Sequence, residues 1–360
     1  MDAFQKELCT VTPTIFKTCK NDNISVIGTC YEDSCCTSVE SATSWYYRAA
    51  QLSHVIFSSI GIVLVVVYMW KYAHKHILPT NIRVLVNIIL SLIFVHSIDI
   101  SIFHTHHVIS SFYATMDNPC WIRVRVDFCA PYRYTFSFCI LCLAFCQYTL
   151  YADRIICILW KSYHKYQKPL LFTLLLQLFI IPTALILWIY REEDSQSYLL
   201  SCLNIPLNSM VDLSFVTAAV FPINIICFFL SIILFKVFER KQKSSRFDMN
   251  RHFKAAVDVQ SSEFLYRVTA TQAIFIIIYP ILSLSMRYSY EDVERSYHLT
   301  FATLSYVFSI YSMFVPLIMI KKARETQENR QDKIWSHVKL KSVGSEGADN
   351  YFNSLKSQWG

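Results

Sequence analysis

Glycine is scarce in this chain. Five of its 360 residues are Gly, and only Gly61 falls inside a long apolar stretch. That excludes a Gly-rich phosphate-cradling loop and a GxxxG helix pair. Charge is scarce too. Asp, Glu, Lys and Arg make up 16% of the residues, where soluble domains carry about a quarter. The sequence has no HExxH, no GxSxG and no paired carboxylates in an apolar stretch, which argues against an intramembrane hydrolase and against enzymes generally. Several buried acids, or interrupted helices in repeated halves, would mark an ion-coupled transporter, and neither is visible. The first 48 residues lack the apolar core of a signal peptide, so the first apolar stretch is expected to serve as the targeting signal.

What the chain does have is seven stretches free of Asp, Glu, Lys and Arg. They are Ala49–Trp70, Val84–Ile98, Tyr134–Ala152, Pro169–Tyr190, Leu213–Phe235, Val268–Met286 and Ser296–Ile320. A helix rises about 1.5 Å per residue, so roughly 20 apolar residues cross the hydrocarbon core. The expected fold is an all-α integral membrane protein, a bundle of seven transmembrane helices. Residues 1–48 form a Cys-containing segment before the bundle at 49–320. Residues 321–360 form a tail whose end, 343–360, reads as disordered.

Orientation follows from Lys and Arg. With the N-terminus outside, the cytoplasmic segments 71–83, 154–168, 236–267 and 321–360 hold 23 of them and the outer segments hold 10. Positive charge collects on the inside, so this orientation is favoured. The sequon Asn23-Ile24-Ser25 then lies on the extracellular side and marks Asn23 for glycosylation.

Eight of the 13 cysteines fall outside the spans on that same side, in an oxidising compartment. Cys129 stands just before Pro131, which suits the first turn of helix three. Cys202 lies midway along the loop between helices four and five. A bridge between them would pin that loop over the bundle mouth. Cys120 competes for the same partner and is assigned to an N-terminal Cys, and a free Cys202 stays open.

Ionisable residues in the spans are few: Asp99, His54 and His96. Asp99 is expected towards the outer end of helix two, facing either a wet cavity or the interface. His104-Thr105-His106-His107 has the look of a metal-binding tract but lacks a completing carboxylate or thiolate, so an interfacial loop is expected, with no metal and no cofactor. Helix three ends in Asp153-Arg154, 25 residues after Cys129, about one membrane crossing. That pair can hold an ionic lock or present Arg154 to a cytoplasmic partner, or it is a basic anchor with an acidic neighbour. Pro182, Pro222, Pro280 and Pro316 lie inside spans, where each removes a helical hydrogen bond. Pro222 and Pro280 flank the basic 236–267 loop, a candidate moving element. Its bases, and Lys321, Lys322 and Arg324, suit anionic membrane lipid or an acidic partner groove.

Seven spans, an outer N-terminus, a Cys opening helix three, a Cys in the second outer loop and Asp-Arg closing helix three resemble the serpentine G-protein-coupled receptors. Details depart from the rhodopsin-like class. Helix seven reads Tyr311-Ser312-Met313-Phe314-Val315-Pro316 rather than Asn-Pro-x-x-Tyr, helix six has Ile278-Tyr279-Pro280, and helix two shows no acid near its middle. The chain is more similar to the nematode serpentine chemoreceptors of the Sra-like superfamily. Asn118-Pro119-Cys120, Cys129 with Tyr132-Arg133, Ala152-Asp153-Arg154, Leu78-Pro79-Thr80-Asn81 and Tyr266-Arg267-Val268-Thr269-Ala270-Thr271-Gln272 carry the likeness. Asp153-Arg154 stands where Glu-Arg is common in that family.

The resemblance implies a chemosensory receptor of neuronal cilia, a small-molecule external ligand and a heterotrimeric G protein as partners. It leaves room for a homo- or hetero-dimer and gives no role to nucleic acid. The plasma membrane is the expected location, a separate expectation that goes with this receptor reading. The expected ligand pocket lies among the outer halves of helices three, five, six and seven, with Tyr134, Phe138 and Phe221 lining it by depth. Asp153, Arg154, Pro222 and Pro280 form the expected coupling switch. The competing class is a seven-helix ligand-gated channel or a transporter.

Overall fold

Backbone N–H and C=O groups in hydrocarbon must find partners inside the chain, so long apolar runs fold as helices. The computed structural model describes residues 38–73, 78–114, 122–160, 162–193, 198–203, 207–244, 249–288, 295–339, 348–349, 351–353 and 355–356. Within them, seven helical segments are long and apolar enough to cross a membrane. In chain order the elements are α1 (Trp45–Lys71), α2 (Thr80–Tyr113), β1 (Val124–Arg125), α3 (Val126–Leu159), α4 (Gln167–Ile189), β2 (Tyr198–Leu199), α5 (Leu207–Ser244), α6 (Met249–Tyr288), α7 (Arg295–Leu304) and α8 (Phe308–Lys339). One 3-10 turn, Tyr163–Lys165, joins α3 to α4.

Neighbours in sequence pack side by side, α8 closes the ring against α1, α2 and α6, and α3 touches α2, α4 and α5. In the most apolar window of α3, 67% of residues are buried, against 22% in α4 and α5. The third span is therefore the central post, with α4 and α5 as lipid-facing staves. At the close approach of α1 and α8, Gly61 faces the main chain of Ser312.

The helices overrun their apolar stretches, and that corrects four expectations. The basic segment 236–267 is mostly helix, since α5 runs to Ser244 and α6 begins at Met249. Charge ends a membrane-compatible window without ending a helix, and Glu239 with Lys243 and Glu263 with Arg267 even form i,i+4 pairs along these extensions. His104–His107 belong to α2, because that helix continues to Tyr113. For the same reason Asp99 is the twentieth of 34 residues and lies in the interior of α2. Pro131 falls in the second turn of α3, because the helix starts at Val126.

A fifth correction concerns the seventh span. It is broken: α7 ends at Leu304, Ser305–Val307 are non-helical, and α8 starts at Phe308. An interrupted helix was not expected, since no Gly or Pro marks the break. Pro182, Pro222, Pro280 and Pro316 all lie inside helices. Asn23, Cys120 and the N-terminal cysteines lie outside the described residues.

Candidate functional site

At one end of the bundle, Cys129 and Cys202 are joined by a disulfide. Beside it Val124 pairs with Leu199 and Arg125 with Tyr198 in a two-strand antiparallel ladder. The loop after α4 is thus bolted to the head of α3 by one covalent bond and a short ladder. Val39, Ala42, Tyr47, Ile122 and Leu200 pack into a small apolar cap near it.

One turn further along α3, Arg133 is fully buried and forms an ion pair with Glu193, from just beyond α4. The Tyr134 hydroxyl donates to Glu193 Oε2 at 2.5 Å. The Arg133 guanidinium also stands 5.4 Å from the centre of the Tyr190 ring. The Tyr190 hydroxyl lies 3.0 Å from the Ser137 hydroxyl. A buried ion pair is stable only with such added partners.

Deeper in the bundle lies a polar core shared by α1, α2 and the broken seventh span. His54 Nε2 is 2.9 Å from the Thr303 carbonyl oxygen, and its Nδ1 is 2.9 Å from Ser309 Oγ. A carbonyl only accepts, so Nε2 carries the proton and Nδ1 accepts from Ser309. The Ser312 hydroxyl donates to Phe308 O at 2.9 Å. His96 Nδ1 therefore donates to Ser312 Oγ at 3.2 Å, and its Nε2 accepts from the Tyr306 hydroxyl at 2.6 Å. His104 Nδ1 donates to Gln51 Oε1, and the His54 and His104 rings stack at 4.8 Å. Two histidines thus brace the break: His54 ties the last turn of α7 to Ser309 in the first turn of α8, and His96 of α2 holds Tyr306 and Ser312. Asp99 is buried on the same helix, and its Oδ2 has no hydrogen-bond partner among the described residues. No group of His, Cys, Asp and Glu among the described residues has the arrangement of a metal site.

At the opposite end, Asp153 and Arg154 are both buried. Arg154 Nε and Nη2 donate to Asp153 Oδ2 at 3.1 and 2.7 Å. The other carboxylate oxygen accepts from Asn81 Nδ2 at 2.7 Å and from the Tyr163 hydroxyl at 2.8 Å. Burial first, and then the Asp153 charge, push the Tyr163 hydroxyl above the ordinary tyrosine range. Arg154 Nη1 also faces Asp258 Oδ1 of α6 at 3.6 Å. A neighbouring set of bonds joins α3 to α6 directly. Gln147 Nε2 donates to Thr269 O at 3.2 Å, Gln272 Nε2 donates to Leu143 O at 2.5 Å, and Tyr151 donates to the Thr269 hydroxyl. Lys322 of α8 meets Glu263 of α6 at 2.6 Å.

A groove of about 460 Å³ lies between α2, α3 and α4, and Tyr134 and Phe138 line it. It sits at the bundle perimeter, not among the third, fifth, sixth and seventh spans. Phe221, half-buried on α5, does not line it. The physical reason is that polar bonds and aromatic rings fill the bundle interior around Tyr306. Pro222 is exposed and Pro280 half-buried, and neither belongs to the Arg154 network.

The sequence shows Arg133, Glu193 and Gln272 without showing their partners, and nothing in it singles out Tyr163 or Gln147. The available signal was small: a charged residue four positions after Cys129, and amides inside apolar stretches. Their partners lie up to 129 residues away.

Comparison with known proteins agrees with this architecture. The family model described as serpentine type 7TM GPCR receptor class ab chemoreceptor matches residues 32–360. Serpentine receptor class beta-18 of Caenorhabditis elegans is 53% identical over 352 residues, covering 98% of this chain and 97% of the relative. Serpentine receptor class beta-17 of the same organism is 25% identical over 326 residues, 87% of each chain. Serpentine receptor class alpha-28 is 24% identical over 250 residues, 68% of this chain and 71% of the relative. A seven-span bundle with its α3 head tied to the loop after α4, matched by this model over nearly its whole length, belongs to the serpentine chemoreceptors, a family of seven-transmembrane receptors.

Proposed function

We propose that this protein binds a small external chemical in the disulfide half of the bundle and signals through a heterotrimeric G protein at the Arg154 end. The observation that carries the reading is the closure of Arg154. Its guanidinium is buried against Asp153, and Asp153 is in turn held by Asn81 and Tyr163. Arg154 Nη2 also reaches the Tyr163 hydroxyl at 3.4 Å, and α6 adds the 3.6 Å approach of Asp258. An arginine held this way is a resting state in need of a trigger. Movement of α6 away from α3 loosens the Asp258 contact and the Gln147, Tyr151 and Gln272 bonds together, and uncovers Arg154 for an acidic partner groove.

A ligand drives that change by binding the open arrangement better than the closed one. Pro222 and Pro280 supply points where α5 and α6 bend. The extensions of α5, α6 and α8 carry the basic residues that meet anionic lipid. In this reading the N-terminus is extracellular with Asn23 available for glycosylation, the C-terminus is cytoplasmic, and the protein resides in the plasma membrane, in a sensory cilium by family likeness. Pairing with a second receptor copy is compatible with it.

The test is Arg154→Ala in cells carrying a G-protein reporter. Signalling is expected to vanish while surface expression persists, and normal signalling by the variant would sink the role. Tagging each terminus on intact cells checks the orientation. Antibody access to the C-terminus in place of the N-terminus would put Arg154 on the wrong face and favour the channel class.

A further inference from the structure

The perimeter groove points to the chemistry of the ligand, an inference that rests on the receptor reading and deepens it. Among the described residues the groove is walled by three helices. Ile88, Leu92 and Val95 come from α2, Tyr134, Phe138 and Cys139 from α3, and Phe179, Ile186 and Leu187 from α4. No charged side chain lines it. The two threonines in its wall are already engaged: Thr135 Oγ1 donates to Pro131 O at 2.7 Å, and Thr183 Oγ1 donates to Phe179 O at 2.7 Å. Hydroxyls turned back on their own helices leave methyl groups facing the space. The volume of about 460 Å³ falls within the range of small-molecule sites.

Its opening is continuous with the lipid-facing surface. Val95 is 45% exposed and Leu187 is 70% exposed, and both belong to groove wall and bundle exterior alike. The medium in contact with the mouth is therefore hydrocarbon, not water. A phospholipid would need a charged seat for its headgroup, and the described lining, whose polar side chains are Ser91, Tyr134, Thr135 and Thr183, provides none. A compact uncharged molecule rich in hydrocarbon fits wholly inside.

We propose that this groove is a ligand site for uncharged, hydrocarbon-rich small molecules that first dissolve in the bilayer and enter sideways between α2 and α4. Two wall residues connect it to the rest of the molecule. Tyr134 faces the groove with its ring while its hydroxyl holds Glu193, the partner of buried Arg133. Phe138 stacks on Phe179 across the groove, with ring centres 6.4 Å apart. An occupant that shifts Tyr134 acts on the Arg133–Glu193 pair and on the loop held by Cys202.

The experiment uses the full chain in phosphatidylcholine nanodiscs, without G protein. The probe is a medium-chain alkyl diazirine with an alkyne reporter and no charged group. Photolabelling is expected to saturate, to map to peptides containing Val95, Tyr134–Cys139 and Phe179–Leu187, and to be competed by excess unlabelled alkane. Thr183→Trp places an indole at the mouth, on a lipid-exposed position that tolerates it. It should reduce saturable labelling at least about tenfold, whereas Thr183→Val should leave it intact. Labelling that never saturates and spreads over all lipid-facing helices would overturn the proposal. Saturable labelling that maps elsewhere, or that excess alkane cannot compete because a resident phospholipid fills the groove, would overturn it too. Occupancy is read without signalling, so these outcomes are independent of Arg154→Ala. A silent groove with Arg154-dependent signalling defeats the groove alone, and a labelled groove in a receptor indifferent to Arg154 defeats the signalling reading alone.

Discussion

His54 Nε2 stands 2.9 Å from the main-chain oxygen of Thr303, 249 residues later in the chain. That oxygen belongs to the last turn of α7, where the helix stops and its final carbonyls lose their helical partners. The Tyr306 N–H reaches this oxygen at 3.1 Å, and a side chain from α1 supplies a second donor. Because the site is buried in the bundle, water does not readily replace it.

His54→Leu should therefore destabilise the protein by about 1–2 kcal/mol, from the loss of its interhelical bonds to Thr303 and Ser309. His54→Gln, whose amide can still donate, should recover part of this. Thermal unfolding of the purified receptor compares the two variants. Equal melting temperatures for Leu and Gln would show that the Thr303 bond contributes nothing.

Tyr163→Phe removes one of two neutral donors from Asp153 Oδ1 and leaves Asn81 in place. Losing about 1 kcal/mol from the closed arrangement shifts the resting balance by about fivefold. Unstimulated signalling should rise by that order at unchanged surface level. A flat or lowered baseline would contradict the closed Arg154 network as the resting state.

Glu193→Gln leaves the Arg133 guanidinium buried without its counter-charge. The expected cost is about 3–5 kcal/mol, seen as loss of surface delivery. Replacing both partners by Leu should recover much of it, because two apolar residues carry no unpaired charge. A double variant as poorly delivered as the single one would mean that Arg133 is needed for itself and not as half of a pair.

At Gly61 an added methyl would lie 2.9 Å from Ser312 O and 3.1 Å from Ser312 C, both main-chain atoms. Main chain inside a helix has little freedom to retreat. Gly61→Ala should cost about 1–3 kcal/mol by forcing α1 away from α8. An unchanged melting temperature would place the two helices further apart than described.

Some of this was legible in the sequence and some was not, for identifiable reasons. The seven spans were readable because a stretch free of charge is a local property, as with Pro169–Tyr190. The Cys129 and Cys202 positions and the Asp153-Arg154 dipeptide were readable because helix rise converts residue number into depth. The break at Ser305–Val307 was not readable, since Leu304, Ser305, Tyr306 and Val307 carry no turn signal and the histidines that brace it come from other helices. The His104–His107 tract looked like a loop because polar residues ended the apolar window. Its burial depends on Gln51 and Tyr47 of α1, which nothing in its own neighbourhood announces. Of the residues chosen by depth, Tyr134 and Phe138 share the perimeter groove and Phe221 does not: depth says how far along a helix a residue lies, but not which neighbours it faces.

The interruption at Ser305–Val307 has a mechanical consequence. A continuous helix passes a push along its axis as a strut does. A helix cut by three non-helical residues cannot, and a displacement of Arg295–Leu304 reaches Phe308–Lys339 only as a change of angle. Short main-chain bonds, such as Tyr306 N–H to Thr303 O at 3.1 Å, hold the joint locally. Its side-chain pins come from His54 of the first span and His96 of the second, so the freedom of the seventh span to swing is set in part by two residues that precede it by more than half the chain.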